Sequence, residues 1–252
     1  MKPASLTLDD ERPRPDGPDR VSYHHHLARY QFLLPMVRPN DEILETGCGV
    51  GYGSQMLSER AHSVVAFDYS PAALEYARER HSAPNLTYLL MDCHRLALAD
   101  TSFDLVVSFE VFEHLEAPLD YLSECRRVLR PGGRLVLSTP NRSSWDIHMR
   151  SIGTEYEYHV NMQDLDGLRT QLASFFPQVL IYSQWRKGNG LHRALRALDV
   201  WNLRLRLVPA RRREKLQQIM GVPGGAAVKS SDWVFTRSQR RQANHFVAIC
   251  TK

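Results

Sequence analysis

From Glu42 to Gly53 the chain reads Glu-Ile-Leu-Glu-Thr-Gly-Cys-Gly-Val-Gly-Tyr-Gly, and no other stretch restricts the possible folds as much. A short apolar run carries an acid, Glu45, and glycines follow at positions 47, 49, 51 and 53. A helical pattern begins at about Ser54. Glycine has no Cβ and tolerates positive φ, so such a loop lets a ligand approach bare backbone. The helix after it points its first N–H groups to the same place.

Two familiar glycine loops do not fit. A dinucleotide loop needs G-x-G-x-x-G. Counting from Gly47 puts Tyr52 at the third glycine, and counting from Gly49 puts Ser54 there. A nicotinamide-dependent oxidoreductase is therefore disfavoured. A phosphate-binding P-loop needs Gly-Lys-Ser/Thr, and no lysine lies nearby.

The rest of the chain alternates strands and helices. Strands are expected at Glu42–Thr46, Ser63–Phe67, Leu86–Leu90, Phe103–Phe109, Arg134–Ser138, Val179–Ser183 and His245–Cys250. Helices are expected at about Tyr23–Val37, Tyr52–Arg60, after Ser70-Pro71, after Pro118, and after Asn161 as a cap. Pro131-Gly132-Gly133 ends the fourth of these. This order implies right-handed βαβ units and a mostly parallel sheet covered on both faces. Residues 1–22 are polar and hold four prolines, so they read as a disordered tail that does not act as a signal peptide. Residues 23–252 read as one domain.

Composition places the chain among ordinary globular proteins, with 43% hydrophobic and 24% charged residues. No apolar run approaches the roughly 18 residues that span a bilayer. Four scattered cysteines, none in C-x-x-C, read as reduced thiols, and the expected location is cytoplasmic. Net charge is +4, but residues 186–241 hold 14 Lys/Arg against 3 Asp/Glu, or +11, which leaves −7 for the remainder.

Ligands of open parallel sheets bind beyond the carboxyl ends of the strands. Glu45, Asp68, Asp92 and Glu110 fall at those ends. Asp68 lies 21 residues after Gly47, about the spacing from glycine loop to ribose-binding acid in a nucleoside-binding βαβ unit. Asp92, followed by Cys93, suits an adenine amino group. His24, His25 and His26 are consecutive and point about 100° apart on a helix, so they read as a solvated helix start and not as one metal site, though one of them, Arg29 or Tyr30 could line a site if this helix folds over the glycine loop.

Four motifs in order resemble the class I S-adenosylmethionine (SAM)-dependent methyltransferases. Ile43–Gly53 is similar to their SAM loop, Ala66–Ser70 to their ribose motif, Ser102–Glu110 to their strand-four motif, and Arg127–Gly133 to the turn before strand five. Glu113-His114-Leu115 with Ser138-Thr139-Pro140-Asn141 resembles the branch of quinone-biosynthesis and bacterial glycan or secondary-metabolite O-methyltransferases. One departure is Glu45, where many relatives carry aspartate. The resemblance implies a Rossmann-like seven-stranded α/β sheet whose last strand is antiparallel between strands five and six. It implies SAM as cofactor, S-adenosylhomocysteine as its product, and Tyr30, Glu45, Gly47, Gly49, Gly51, Asp68, Tyr69, Asp92, Cys93 and Glu110 as cofactor-binding residues.

Residues 184–243 form a basic helical insert between strands six and seven. Leu191, Leu195, Leu198 and Leu205 fall on one helical face, and Arg211-Arg212-Arg213 follow. The insert reads as a docked helix with solvated arginines, or as a cap that recognises an anionic group. His114 after strand four and His159 after strand five are the candidate general bases, and Tyr156 and Tyr158 candidate aromatic walls. The sequence offers no convincing metal-ligand set. The expected activity is methyl transfer to a small-molecule or glycan acceptor at oxygen. The alternatives are N-methylation, RNA methylation through the insert, or a non-catalytic SAM-binding regulator.

Overall fold

A computed structural model describes residues 12–146, 159–187, 212, 227–237 and 243–252. Among these, eight strands form one sheet: β1 (Glu42–Thr46), β2 (Ser63–Asp68), β3 (Leu86–Leu90), β4 (Phe103–Phe109), β5 (Leu129–Pro140), β6 (Gln178–Arg186), β7 (Trp233–Thr236) and β8 (His245–Thr251). Their order is β3-β2-β1-β4-β5-β8-β6-β7. β1 to β5 pair in parallel, and β8 enters antiparallel between β5 and β6. The seven expected strands are all present. β7 is an eighth, paired antiparallel with the outer side of β6.

Strand periodicity divides the core. Along β4, Leu105 and Val107 join Ile43 on one face, while Val106 joins Leu44 on the other. All five side chains are buried, as a sheet covered on both faces requires. Helices α1 (Arg20–Leu33), α2 (Tyr52–Ser58), α3 (Pro71–Arg80), α4 (Pro118–Val128) and α5 (Leu165–Ala173) lie beside it. Ser70 caps α3 by accepting from the Ala73 N–H, with proline at the first helical position.

Several boundaries differ from expectation for identifiable reasons. α1 starts at Arg20 because the Asp19 side chain accepts from Ser22 N, so the ordered chain reaches back into the stretch read as tail. Asp164, not Asn161, caps α5 by accepting from Gly167 N at 2.8 Å. Pro131-Gly132-Gly133 lies inside β5 as a bulge: Phe103 pairs with Leu129, and Leu105 pairs with Arg134. Gly132 supplies the positive φ of 76° that this excursion needs. His24, His25 and His26 are half-buried, not solvated. The leucine face of the insert, Arg211, Arg213, Tyr156 and Tyr158 lie outside the described residues.

Candidate active site

The carboxyl ends of β1, β2, β4, β5 and β6 share one edge of the sheet, and the polar residues gather there. After β1, Gly47, Gly49 and Gly51 take φ of 64°, 55° and 85°. These values fall in the left-handed region that glycine alone enters freely. A Cβ at Gly51 would lie 2.6 Å from Ala77 Cβ and 2.5 Å from the Tyr88 hydroxyl. At Gly49 the nearest atom would be Arg12 Cδ, at 3.8 Å. Gly51 is therefore demanded by packing, whereas Gly49 faces an open approach.

Asp68 ends β2 beneath this loop and is 4% exposed. Its Oδ2 accepts from Gly49 N at 2.9 Å, and its Oδ1 accepts from Ser70 N at 2.9 Å and from Arg12 Nη2 at 3.1 Å. The guanidinium of Arg12 also stands 5.4 Å over the Tyr69 ring. Asp16 holds the same segment, accepting from the Tyr76 hydroxyl at 3.0 Å. Asp92 and Cys93 follow β3 as expected, but Asp92 is exposed and accepts from His94 N and Nδ1.

Glu45 is buried behind the loop, and its oxygens accept from the Tyr30 hydroxyl at 2.7 Å and from Ser54 Oγ. Tyr30 therefore anchors Glu45 from α1; its ring fills the space above Gly53, where a Cβ would lie 2.0 Å from it. Burial raises the Glu45 carboxyl from 4.5 to about 7, against the pull of Ser54 and Tyr30. A carboxyl raised on folding contributes stability that is fully present below its unfolded value and is lost as pH climbs through its folded one. Between pH 4.5 and 7.5 the wild type is expected to lose about 3 kcal/mol from this group. Glu45→Gln should lack that component, which urea midpoints measured across the range would reveal; parallel pH profiles would refute it.

Glu110 follows β4 at φ 55°, a left-handed conformation outside glycine. Its carboxylate accepts from Ser138 Oγ at 2.7 Å and pairs with Arg29 at 3.4 Å and His245 Nε2 at 3.1 Å. Burial would raise this carboxyl, but the buried Arg29 guanidinium offsets that and holds it well below the usual range. Burial lowers His245, so a neutral imidazole donates its Nε2–H to Glu110. Arg29 also donates from Nε to Gln184 Oε1 at 2.8 Å, which ties α1 to β6.

The two candidate bases come together. Asn161 N donates to Glu113 O at 2.9 Å, and Asn161 Nδ2 donates to Phe112 O at 3.0 Å. These bonds fasten the segment after β5 to the turn after β4 and put the His114 and His159 rings 4.8 Å apart. Glu113 adjoins them, with ligand atoms of the three residues within 4.8 Å of one another. Burial, then the negative charge of Glu110, raises the Glu113 carboxyl well above its ordinary range. The sequence reading named no metal-ligand set; Glu113, His114 and His159 are one in geometry. Glu113 and His245 had not been singled out as site residues, and Arg29 only as one that could line a site if its helix folded over the glycine loop. Only the Glu-His pair at 113–114, on a turn after a buried strand, pointed to Glu113.

The fold, the carboxylate under the glycine loop and the open face at Gly49 suit an adenosine-bearing ligand. Residues 44–137 match a family described as a methyltransferase domain. A Mycobacterium tuberculosis protein named "Probable S-adenosylmethionine-dependent methyltransferase" is 40% identical over 141 residues, covering 56% of this chain and 50% of that protein. A ubiquinone biosynthesis O-methyltransferase of Cereibacter sphaeroides is 37% identical over 116 residues, covering 45% and 47%. The chain thus spans about half the length of these curated relatives. In fold it resembles an S-adenosylmethionine-dependent methyltransferase from Mesorhizobium loti, with a TM-score of 0.55 and 18% identity over 89% of this chain and 96% of that one. YcgJ from Bacillus subtilis gives a TM-score of 0.59 at 15% identity over 90% and 99%. No helix among the described residues is long and apolar enough to cross a membrane. Residues 44–137 thus match a methyltransferase domain, and the motifs, the sheet and these relatives are all similar to class I SAM-dependent methyltransferases.

Proposed function

We propose that the chain transfers a methyl group from SAM to an oxygen of a small-molecule or glycan acceptor, in the cytoplasm. The observation that carries this reading is Asp68, fixed by Gly49 N at the mouth of an open glycine loop. A carboxylate so held accepts both hydroxyl protons of a ribose, and the bare Gly49 backbone lets the ligand come close. Bound there, SAM supplies an electrophilic methyl group on a sulfonium. Glu45 braces the loop through Ser54 while Tyr30 closes it from α1. The acceptor stands at the β4–β5 edge, beside His114 and His159, where a neutral imidazole takes the hydroxyl proton as the new bond forms. The name of the Cereibacter relative supports oxygen as the acceptor atom.

Calorimetry should detect binding of SAM and S-adenosylhomocysteine and none of NAD. Binding of NAD alone would overturn the reading. In a screen of catechol and sugar hydroxyl acceptors, His114→Ala and His159→Ala together should lower kcat by about 100-fold or more while leaving SAM affinity unchanged. Binding without turnover of any acceptor would favour the non-catalytic regulator. A second reading adds Glu113 to the two histidines: Glu113, His114 and His159 would hold a divalent cation that orients the acceptor oxygen. Dialysis against a chelator separates the two, since turnover survives on the base reading and disappears, to return with added cation, on the other.

A further inference from the structure

The end of β6 holds a charge that no described residue meets with a hydrogen bond on its inner edge. Arg186 lies two residues beyond Gln184, at the same edge of the sheet as Glu110. Its Nε and Nη2 are shielded from solvent and meet no acceptor among the described residues. These two atoms form one edge of the guanidinium, the edge that grips a carboxylate or phosphate with two parallel hydrogen bonds. A shielded cation without an acceptor is costly unless something fills the place.

The guanidinium is also held in position. It stands 5.2 Å over the ring of Trp233, its register partner on β7. Trp233 is 8% exposed and stacks with His25 at 5.3 Å and 27°. His25 packs edge-on against His245 at 4.4 Å, and His245 bonds Glu110. A chain of contacts therefore runs from the inner site to Arg186. The acid next to Trp233, Asp232, is engaged by Lys229 N at 2.8 Å. Burial lowers the Arg186 pKa, with Asp232 alone pulling the other way. The surrounding sequence offers little else, since residues 186–241 contain 14 basic and 3 acidic residues.

We propose that Arg186, held flat on Trp233, binds an oxyanion (a carboxylate or phosphate) carried by the acceptor. This deepens the methyltransferase reading and depends on it only for the occupant's being the acceptor. Stacking fixes the plane of the fork before the anion arrives, so little is lost in ordering it. An acceptor so held has its charged end at the β6–β7 hairpin and its nucleophile turned towards β4 and β5.

The test uses the full chain saturated with S-adenosylhomocysteine, whose binding is measured separately by calorimetry. Inorganic phosphate and benzoate are titrated at constant ionic strength while the melting midpoint is followed. At saturating anion the wild type should gain about 3 °C. Arg186→Gln should lose that gain, and Arg186→Lys, which keeps the charge without the fork, should keep only part. Benzoate acting alone marks a carboxylate site, and phosphate acting alone marks a phosphate site. No gain from either anion, or an equal gain in Arg186→Gln, overturns the proposal. So does a gain that appears only in Asp199→Asn or Glu214→Gln and not in the wild type, because the chain's own carboxylate then fills the fork. If S-adenosylhomocysteine itself fails to bind, the methyltransferase reading falls independently of the anion result.

Discussion

Asp68→Ala is expected to weaken SAM binding by about 100-fold or more in calorimetry. The side chain is poised to accept two hydrogen bonds from ribose hydroxyls, and a bond to a charged group contributes roughly 1.5–3 kcal/mol, so losing two costs about 3 kcal/mol at the least. The same substitution leaves Gly49 N and Ser70 N without their acceptor, so the loop should also loosen. Asp68→Asn distinguishes the two effects. It retains one acceptor oxygen for the loop but cannot receive both hydroxyl protons, so its fold should be firmer than that of the alanine variant and its affinity nearly as poor. Unchanged affinity in both would remove Asp68 from the cofactor site.

The second large effect separates two glycines of one loop. Gly51→Ala should destabilise the fold by about 3 kcal/mol or more, since a left-handed residue with a Cβ costs roughly 1–2 kcal/mol and overpacking roughly 1–3 more. The obstructing atoms are Ala77 Cβ and the Tyr88 hydroxyl, both from neighbouring elements that cannot easily yield. Gly49→Ala incurs only the backbone part, because its Cβ meets nothing closer than Arg12 Cδ. It projects into the approach side of the loop instead. Urea denaturation should therefore rank Gly51→Ala as the weaker fold, while calorimetry ranks Gly49→Ala as a poor binder of SAM despite an adequate fold. Equal losses of stability in both variants would contradict the assignment of Gly51 to packing and Gly49 to the ligand.

Sheet and glycine loop were legible because each rests on local pattern. The apolar runs at β1 and β4 can only be strands buried on both sides, and alternate glycines after an acid leave few alternatives. β7 escaped notice because Trp-Val-Phe-Thr is four residues long and lies in a segment dominated by charge. The bases could be named but not paired, since their proximity depends on Asn161 bonding to the backbone of Phe112 and Glu113, a contact across 48–49 residues with no local signature. Tyr30 was expected to bind the cofactor; its contacts are with Glu45 and Gly53, which only the packing of α1 reveals. Arg29 could be named as a residue that would line the site if its helix folded over the loop, but its partners could not. Its complete burial follows from Glu110 and Gln184, contributed by strands far along the chain.

The contact between Arg12 and Asp68 couples occupancy of the site to the state of the chain's first described residues. A ribose bound at Asp68 would compete with the guanidinium for one carboxylate. Reciprocity follows: a partner that draws Arg12 away would raise apparent affinity for the methyl donor, and the donor would raise affinity for that partner by the same factor. A partner or modification acting on that segment would thereby set the donor concentration at which the enzyme half-fills, without touching the glycine loop.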